Sequence, residues 1–379
     1  MRVLLITPGT RGDVAPAAGL GARLREAGHE ITIACNPPYS SLVESSGCTW
    51  RELPGDLCPL LAGETTGPYL RQLRDYMDLA ARGALDAALA GTDAILVNGV
   101  APFGHDIADG LGVPSAGAFL QPMQPSADYP PVLLGLSRGF GPIGNRLAGL
   151  ALRAAPAPYD RARARIRREL RVRDRTRRPR VFHGFSPAVV PRPRDWPPEL
   201  SIAGYWWPAV PAGWQPPPAL LDFLDAGPPP VYLGFGSNGG ADSAMIAEAA
   251  READVRVLLQ DDIGDVPHEW LFPRMAAVVH HCGAGTTAAG LRAGVPTVAV
   301  PRYTDQPFWA RRVKALGAGP DPVPHRRLTA STLATAIRAA VTDPRFRRNA
   351  RAVGDRLAAE DGAAPLVDWL VYSARTGRA

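Results

Sequence analysis

Three short stretches of this chain gather residue types that can do chemistry. The sharpest is Val278-Val279-His280-His281-Cys282-Gly283-Ala284-Gly285-Thr286-Thr287. An apolar run ends in two imidazoles, a Gly-Ala-Gly turn lets backbone come close to a ligand, and a helix opens at Thr286 with unpaired N–H groups pointing back. Such a helix start attracts phosphate. The Thr286 and Thr287 hydroxyls add donors, and a histidine at the turn can hydrogen-bond an oxygen of a departing pyrophosphate. The same glycines would equally permit a tight strand-to-helix turn with no ligand at all.

Twenty-four residues after His281 the chain reads Asp305-Gln306-Pro307-Phe308-Trp309-Ala310, following a strand Thr297 to Pro301. A carboxylate beside a carboxamide can make paired hydrogen bonds to neighbouring hydroxyls, as a sugar ring requires. Asp305 also suits a plain helix N-cap, with Pro307 in the first turn. Near the start lies Thr7-Pro8-Gly9-Thr10-Arg11-Gly12-Asp13. Here Asp13 is a candidate general base, Thr10 a hydroxyl donor to phosphate, and Gly12 a point of close approach for substrate. As the structural alternative, Asp13 caps a helix that starts at Val14.

These residues need elements to hold them. A strand Arg2 to Thr7, a helix with apolar positions Ala17, Leu20, Leu24 and Ala27 at helical spacing, and a strand Glu30 to Cys35 form a βαβ unit. A strand Ala94 to Asn98, a helix from about Asp106 to Gly110 and a strand Ser115 to Phe119 continue the alternation, which implies a parallel sheet covered by helices. Between Pro187 and Pro230 thirteen prolines occur and no helical period is legible. The alternation then restarts, with strands at 231–236, 255–260 and 276–281 and helices at 286–293, 305–316 and 329–341. The expected organisation is a first unit over 1–204, a Pro-rich linker over 205–230 and a second unit over 231–379, whose last helix returns to the first. Two doubly wound α/β halves of this kind face each other across a cleft, where a ligand binds.

Composition narrows the reading. With 379 residues, 46% of them hydrophobic and 21% charged, the chain is no disordered protein and is long enough for two cores. The apolar opening Val3 to Ile6 stops at Pro8-Gly9, too short for a signal-peptide core, so a cytoplasmic location is expected. Cys35, Cys48, Cys58 and Cys282 have neither CxxC pairing nor zinc-site spacing, and reduced thiols are expected. The net charge of +6 is local, because residues 153–180 hold twelve arginines against Asp160, Glu169 and Asp174. That segment reads as a solvated helix without the aromatic interleaving of a nucleic-acid surface, and weak contact with an anionic membrane is the stronger of its two partner readings. Asp261-Asp262 reads as a solvated strand end, with a metal-binding pair as the lesser alternative, and no metal is expected.

Together the motifs resemble the family 1 glycosyltransferases of GT-B fold, in the branch of bacterial antibiotic glycosyltransferases and sterol glucosyltransferases. The resemblance covers nearly the whole chain: Gly9 to Val14, Phe185-Ser186-Pro187, Gly204-Tyr205-Trp206, Gly234-Phe235-Gly236-Ser237, His280 to Thr287 and Asp305-Gln306-Pro307. It implies inverting, metal-independent transfer of a sugar from a UDP- or TDP-linked donor to a hydroxyl of a small, apolar acceptor, with no cofactor beyond the nucleotide sugar. Carried over, Asp13 is the base and Thr10 and Gly12 border the donor. His281, Gly283, Gly285 and Thr286 hold the pyrophosphate with Ser237 beside it, Val266 offers backbone to the base, and Asp305 and Gln306 grip the sugar. Phe103, Phe119, Gln121 and Met123, with the loop Ala127 to Leu134, are expected to line the acceptor pocket. His105-Asp106 is an alternative base pair. Two departures stand out. Cys282 occupies a position that is usually Gly in the bacterial branch, and the segment from Ser237 to His281 is short enough to have lost a strand or helix beside the base pocket. That shortening keeps a second reading open, a non-catalytic partner of another transferase. The quaternary state is expected to be monomer or homodimer.

Overall fold

The computed structural model of the protein describes residues 1–55, 69–173, 178–208, 210, 213–235 and 243–376. Two parallel sheets organise it. The first has seven strands in the order β3-β2-β1-β4-β5-β6-β7, formed by β1 (Arg2–Ile6), β2 (Glu30–Cys35), β3 (Thr49–Glu52), β4 (Ala94–Val97), β5 (Ser115–Phe119), β6 (Val181–His183) and β7 (Leu200–Ile202). The second has four in the order β11-β10-β8-β9, from β8 (Val231–Gly234), β9 (Val257–Leu259), β10 (Ala277–His280) and β11 (Thr297–Ala299). Unbroken apolar runs such as Val3-Leu4-Leu5-Ile6 and Ala277-Val278-Val279 are buried on both faces, as parallel strands between helical layers must be.

Helices of eight or more residues cover the sheets. Those around the first are α1 (Arg11–Glu26), α2 (Tyr69–Leu89), α3 (Phe103–Leu111), α4 (Gly141–Ala154) and α5 (Asp160–Glu169). Around the second are α6 (Pro218–Asp225), α7 (Ser243–Ala253), α8 (Ala284–Arg292), α9 (Gln306–Ala315), α10 (Ala330–Thr342) and α11 (Pro344–Ala358), followed in the chain by α12 (Ala364–Thr376). Although it follows the second sheet in sequence, α12 buries Leu366, Trp369 and Leu370 in the core of β1, β2 and α1, and the Trp206 indole N–H donates to the Gly362 carbonyl at 2.8 Å. A further core crosses between halves, joining Phe185, Val189, Trp196 and Tyr205 to Cys282, Leu291, Phe308 and Trp309.

Three expectations change. Helix α1 begins at Arg11 with Thr10 as N-cap, so Asp13 is the third residue of the first turn rather than the cap. The Pro-rich stretch is not irregular: it holds β7 and α6, and α6 starts on Pro218, where a fixed φ and a missing N–H cost a helix nothing. The arginines of α5 are only in part a solvated face: Arg163, Arg165 and Arg167 are half-buried, while Arg161 and Arg168 are exposed. Arg163 makes a two-pronged bond to Asp106 (2.6 and 3.2 Å) and Arg167 joins it at 3.1 Å, while Arg161 and Arg165 reach Asp78 at 3.1 and 3.0 Å. Asp78 and Asp106 are buried, so these four cations clamp α5 onto α2 and α3.

Candidate active site

Each sheet has one place where strand order reverses: between β1 and β4 in the first, between β8 and β10 in the second. Loops leaving the two strands there run in opposite directions and open a crevice. The sequence motifs sit on these two points. Asp13 follows β1, Asn98 follows β4, Gly234 ends β8 and His280-His281 close β10.

At the first point Gly9, at φ +142°, lets the chain turn sharply, and any side chain there would collide with the Asp13 carboxylate. Asp13 reaches back along the first turn of α1, its Oδ2 accepting the Thr10 N–H at 2.9 Å and the Thr10 hydroxyl at 3.2 Å. The helix-start role and a chemical role are thus compatible, because one oxygen does the first and leaves the other. Desolvation pushes the Asp13 carboxyl above its ordinary range; hydrogen bonds from Thr10 and Asn98 pull it back, and the charge of Asp305 pushes it further up. The apolar lining of a narrow cavity under the carboxylate, Leu96, Leu120 and Trp206, supplies that desolvation.

At the second point the backbone does the shaping. Cys282 adopts φ +64°, a left-handed conformation that suits glycine better than a residue with a Cβ. Gly283 is the N-cap of α8, and a Cβ there would lie 2.7 Å from His281 Nε2. Gly285 faces open space and Thr286 is half-buried, whereas Thr287 is fully buried and turns away from any ligand. His280 is fully buried, with Nδ1 accepting the Cys282 N–H at 3.0 Å, and burial keeps it neutral. Burial also lowers the His281 imidazole, opposed by the Gly234 backbone and by the charge of Asp305.

Asp305 precedes α9, yet its carboxylate does not cap the helix. Oδ2 accepts the Trp309 indole N–H at 2.8 Å and Oδ1 the Thr304 hydroxyl at 3.1 Å. The Gln306 Oε1 accepts backbone N–H groups of Arg302 (2.8 Å) and Tyr303 (3.3 Å), so this oxygen braces the turn and the amide nitrogen is its other end. The Asp305 charge acts on both Asp13 and His281, raising the proton affinity of each. An exposed ion pair, Arg11 to Asp265 at 2.6 Å, also joins the two halves.

The other expected positions divide. The Val266 N–H is turned onto the Gly264 carbonyl at 3.2 Å, and the residue is buried in a core with Leu271 and Phe272. Gly12 is exposed beside Thr10. Phe119 and Met123 flank Gly99 next to Asn98, with Gln121 half-buried nearby. Phe103 is not in a pocket: it is wholly buried in the core under α3 with Ile6, Val97 and Ile107. Ser237 lies outside the described residues. The alternative base pair is occupied elsewhere, His105 Nδ1 meeting Ser115 Oγ at 2.9 Å and Asp106 held by its arginines. Two contributors were missed, Asn98 and Trp309. Both were open to detection, Asn98 as the polar end of an apolar strand and Trp309 as the i+4 neighbour of Asp305. Among the described residues no group of three or more His, Cys, Asp or Glu is arranged to hold a metal ion, and no helix is long and apolar enough to cross a membrane.

Residues 238–371 match the family model of the erythromycin biosynthesis protein CIII-like C-terminal domain. The chain is 36% identical to the O-mycaminosyltylonolide 6-deoxyallosyltransferase of Streptomyces fradiae, over 96% of this chain and 95% of that protein. It is 32% identical to the sterol 3-beta-glucosyltransferase UGT80A2 of Arabidopsis thaliana over 97% of its own length, spanning 64% of that longer protein. Among solved structures, the glycosyltransferase VinC in complex with DTDP superposes with TM-score 0.71 at 22% identity, covering 99% of this chain and 100% of that one. The calicheamicin glycosyltransferase CalG4 gives 0.69 at 18%, covering 99% and 98%. Two Rossmann-like halves of GT-B type and an identity that runs through nearly all of both chains lead to one assignment: this protein belongs to the family 1 glycosyltransferases, in the branch of antibiotic glycosyltransferases and sterol glucosyltransferases.

Proposed function

We propose that the chain transfers a sugar from a thymidine- or uridine-diphosphate donor to a hydroxyl of a lipophilic small molecule, with inversion at the anomeric carbon and without a metal ion. The reading rests on one pairing: a desolvated carboxylate at the switch point of the first sheet, and an imidazole beside an open helix start at that of the second, with the Asp305 charge acting on both. In the reaction Asp13 takes the proton of the acceptor hydroxyl. That oxygen forms a bond to the anomeric carbon while the bond from this carbon to the diphosphate oxygen breaks, and the nucleoside diphosphate leaves with the electron pair. Charge growing on the diphosphate meets the first N–H groups of α8 near Gly283, Gly285 and Thr286 and a ring N–H of neutral His281, fixed dipoles that need no reorganisation. Thr10 and Gly12 border the diphosphate, with Ser237 assigned beside it by family resemblance. The Val266 carbonyl receives the base, Asp305 and the Gln306 amide nitrogen hold sugar hydroxyls, and Phe119, Gln121 and Met123 flank the acceptor.

The test couples calorimetric titration of UDP and TDP with mass-spectrometric detection of glycosylated lipophilic alcohols and NMR assignment of the new anomeric centre. Nucleotide binding with an inverted product that persists in EDTA supports the proposal, and a product of retained configuration overturns the mechanism. No heat with either nucleotide favours the second reading, a catalytically silent partner, for which the four-stranded second sheet is the supporting observation.

A further inference from the structure

Helix α4 is built inside out. Its inward face carries Asn145, whose side chain donates to the Ala127 carbonyl (3.1 Å) and accepts the Phe140 N–H (2.8 Å), and Gly149, packed on Pro125. Its outward face carries Ile143, Leu147 and Leu150 at i, i+4 and i+7, one stripe of a helix. Ile143 is 79% exposed and Leu147 60%, and Phe140, just before the helix, is 57% exposed. Contiguous apolar surface of this kind marks an interaction site. No acidic residue occurs between Asp128 and Asp160, while Arg138, Arg146 and Arg153 are all exposed and, among the described residues, only Arg146 has an acidic partner, Asp195 at 3.3 Å. The face is therefore greasy at its centre and cationic at its edge.

We infer that α4 and the loop before it dock on an anionic lipid surface, with Phe140, Ile143, Leu147 and Leu150 entering the interface and Arg138 and Arg153 meeting headgroup phosphates. The charge pattern selects this occupant. Two copies of the same face would bring arginine against arginine with only the mostly buried Asp195, already paired with Arg146, to answer them, whereas an anionic leaflet supplies both hydrocarbon and negative charge. The position fits as well. The Leu136 carbonyl accepts from Arg311 on α9, and Gly135 lies against the Thr304 backbone next to Asp305, so the face is rooted at the mouth of the cleft. On the reading proposed above, a lipophilic acceptor would enter there from the layer.

The full chain is sedimented with phosphatidylcholine vesicles with and without phosphatidylglycerol, at low and high salt. Binding is expected only with phosphatidylglycerol and weakens as salt rises. Arg138→Gln with Arg153→Gln lowers the affinity by about fivefold per charge, and Ile143→Ser with Leu147→Ser by about tenfold or more, with unchanged melting curves. Turnover of a soluble acceptor stays at the unsubstituted level in both, which separates failure of docking from failure of the proposed chemistry. Absent binding, or binding untouched by either pair, overturns the inference. A dimer that Ile143→Ser with Leu147→Ser dissolves, without vesicle binding, assigns the face to a second copy instead.

Discussion

Seven strands in the first half end at a side chain; four in the second end at a backbone turn. At the β1/β4 point the reactive feature is the Asp13 carboxylate, made basic by desolvation and held by Thr10 and Asn98. A titratable group needs a surrounding wall to set its affinity for protons, and the larger sheet, with α12 packed on it, provides that wall. At the β8/β10 point the features are N–H groups at the start of α8 and a neutral histidine, whose direction depends only on two adjacent strands and one turn. The second sheet ends at β9 beyond β8, with no further strand among the described residues before the crossover to β10. A donor site made of backbone works on so narrow a sheet; a buried acid would not.

Substituting one group from each half exposes the difference most strongly. Asp13→Asn removes the proton acceptor but keeps shape and hydrogen bonding, so kcat falls by about two to four orders of magnitude while calorimetric nucleotide affinity holds. His281→Ala removes one donor of several around the diphosphate, and kcat falls by about two orders, with UDP or TDP affinity reduced as well. Equal affinity losses in the two variants would erase the division of labour.

The scaffold of the first half is tested at Asp106. Asp106→Ala leaves Arg163 and Arg167 without their shared carboxylate at the α3–α5 contact. A buried partner removed this way costs about 3–5 kcal/mol, reduced here to roughly 2–3 because both guanidinium groups are partly exposed. Chemical denaturation reads that loss, with the nucleotide site of the second half still binding.

A subtler change acts on the proton affinity of Asp13. Asn98 hydrogen-bonds the charged form, so Asn98→Leu raises the carboxyl further. A general base works only when ionised; raising its pKa therefore moves the acid limb of kcat/KM to higher pH and leaves the rate above that limb nearly unchanged. Profiles that coincide would show that the Asn98 amide does not govern Asp13.

How much of this was legible follows from what local sequence encodes. The βαβ pattern around Asp13, the strand ending at His280 and the helix after Asp305 are written in apolar spacing and glycines, and each formed within a few residues of its expected bounds. Phe103 was misjudged because a residue in the first turn of a helix is as easily core as pocket until the neighbouring strands are known. The α5 arginines were misjudged for the same reason: their partners, Asp78 and Asp106, lie more than fifty residues upstream. Asn98 and Asp13 likewise meet only through the β1/β4 pairing.

The smallest effect is expected at Cys282, where the backbone account of the second half is most exposed. At φ +64° a residue with a Cβ carries about 1–2 kcal/mol of strain that glycine does not. Cys282 is also fully buried beside Ala288 and Ala299 in the core between halves, so Cys282→Gly leaves a void costing roughly 1 kcal/mol. The two terms oppose each other, and stability should move by less than about 1 kcal/mol with kcat within about twofold, because the N–H groups of the turn keep their direction. Cys282→Val fills the void but places a β-branched residue in the left-handed region, and a loss of about 2 kcal/mol or more in denaturant titration is expected. If Gly proved as damaging as Val, the thiol itself, and not the turn, would be what the second half requires.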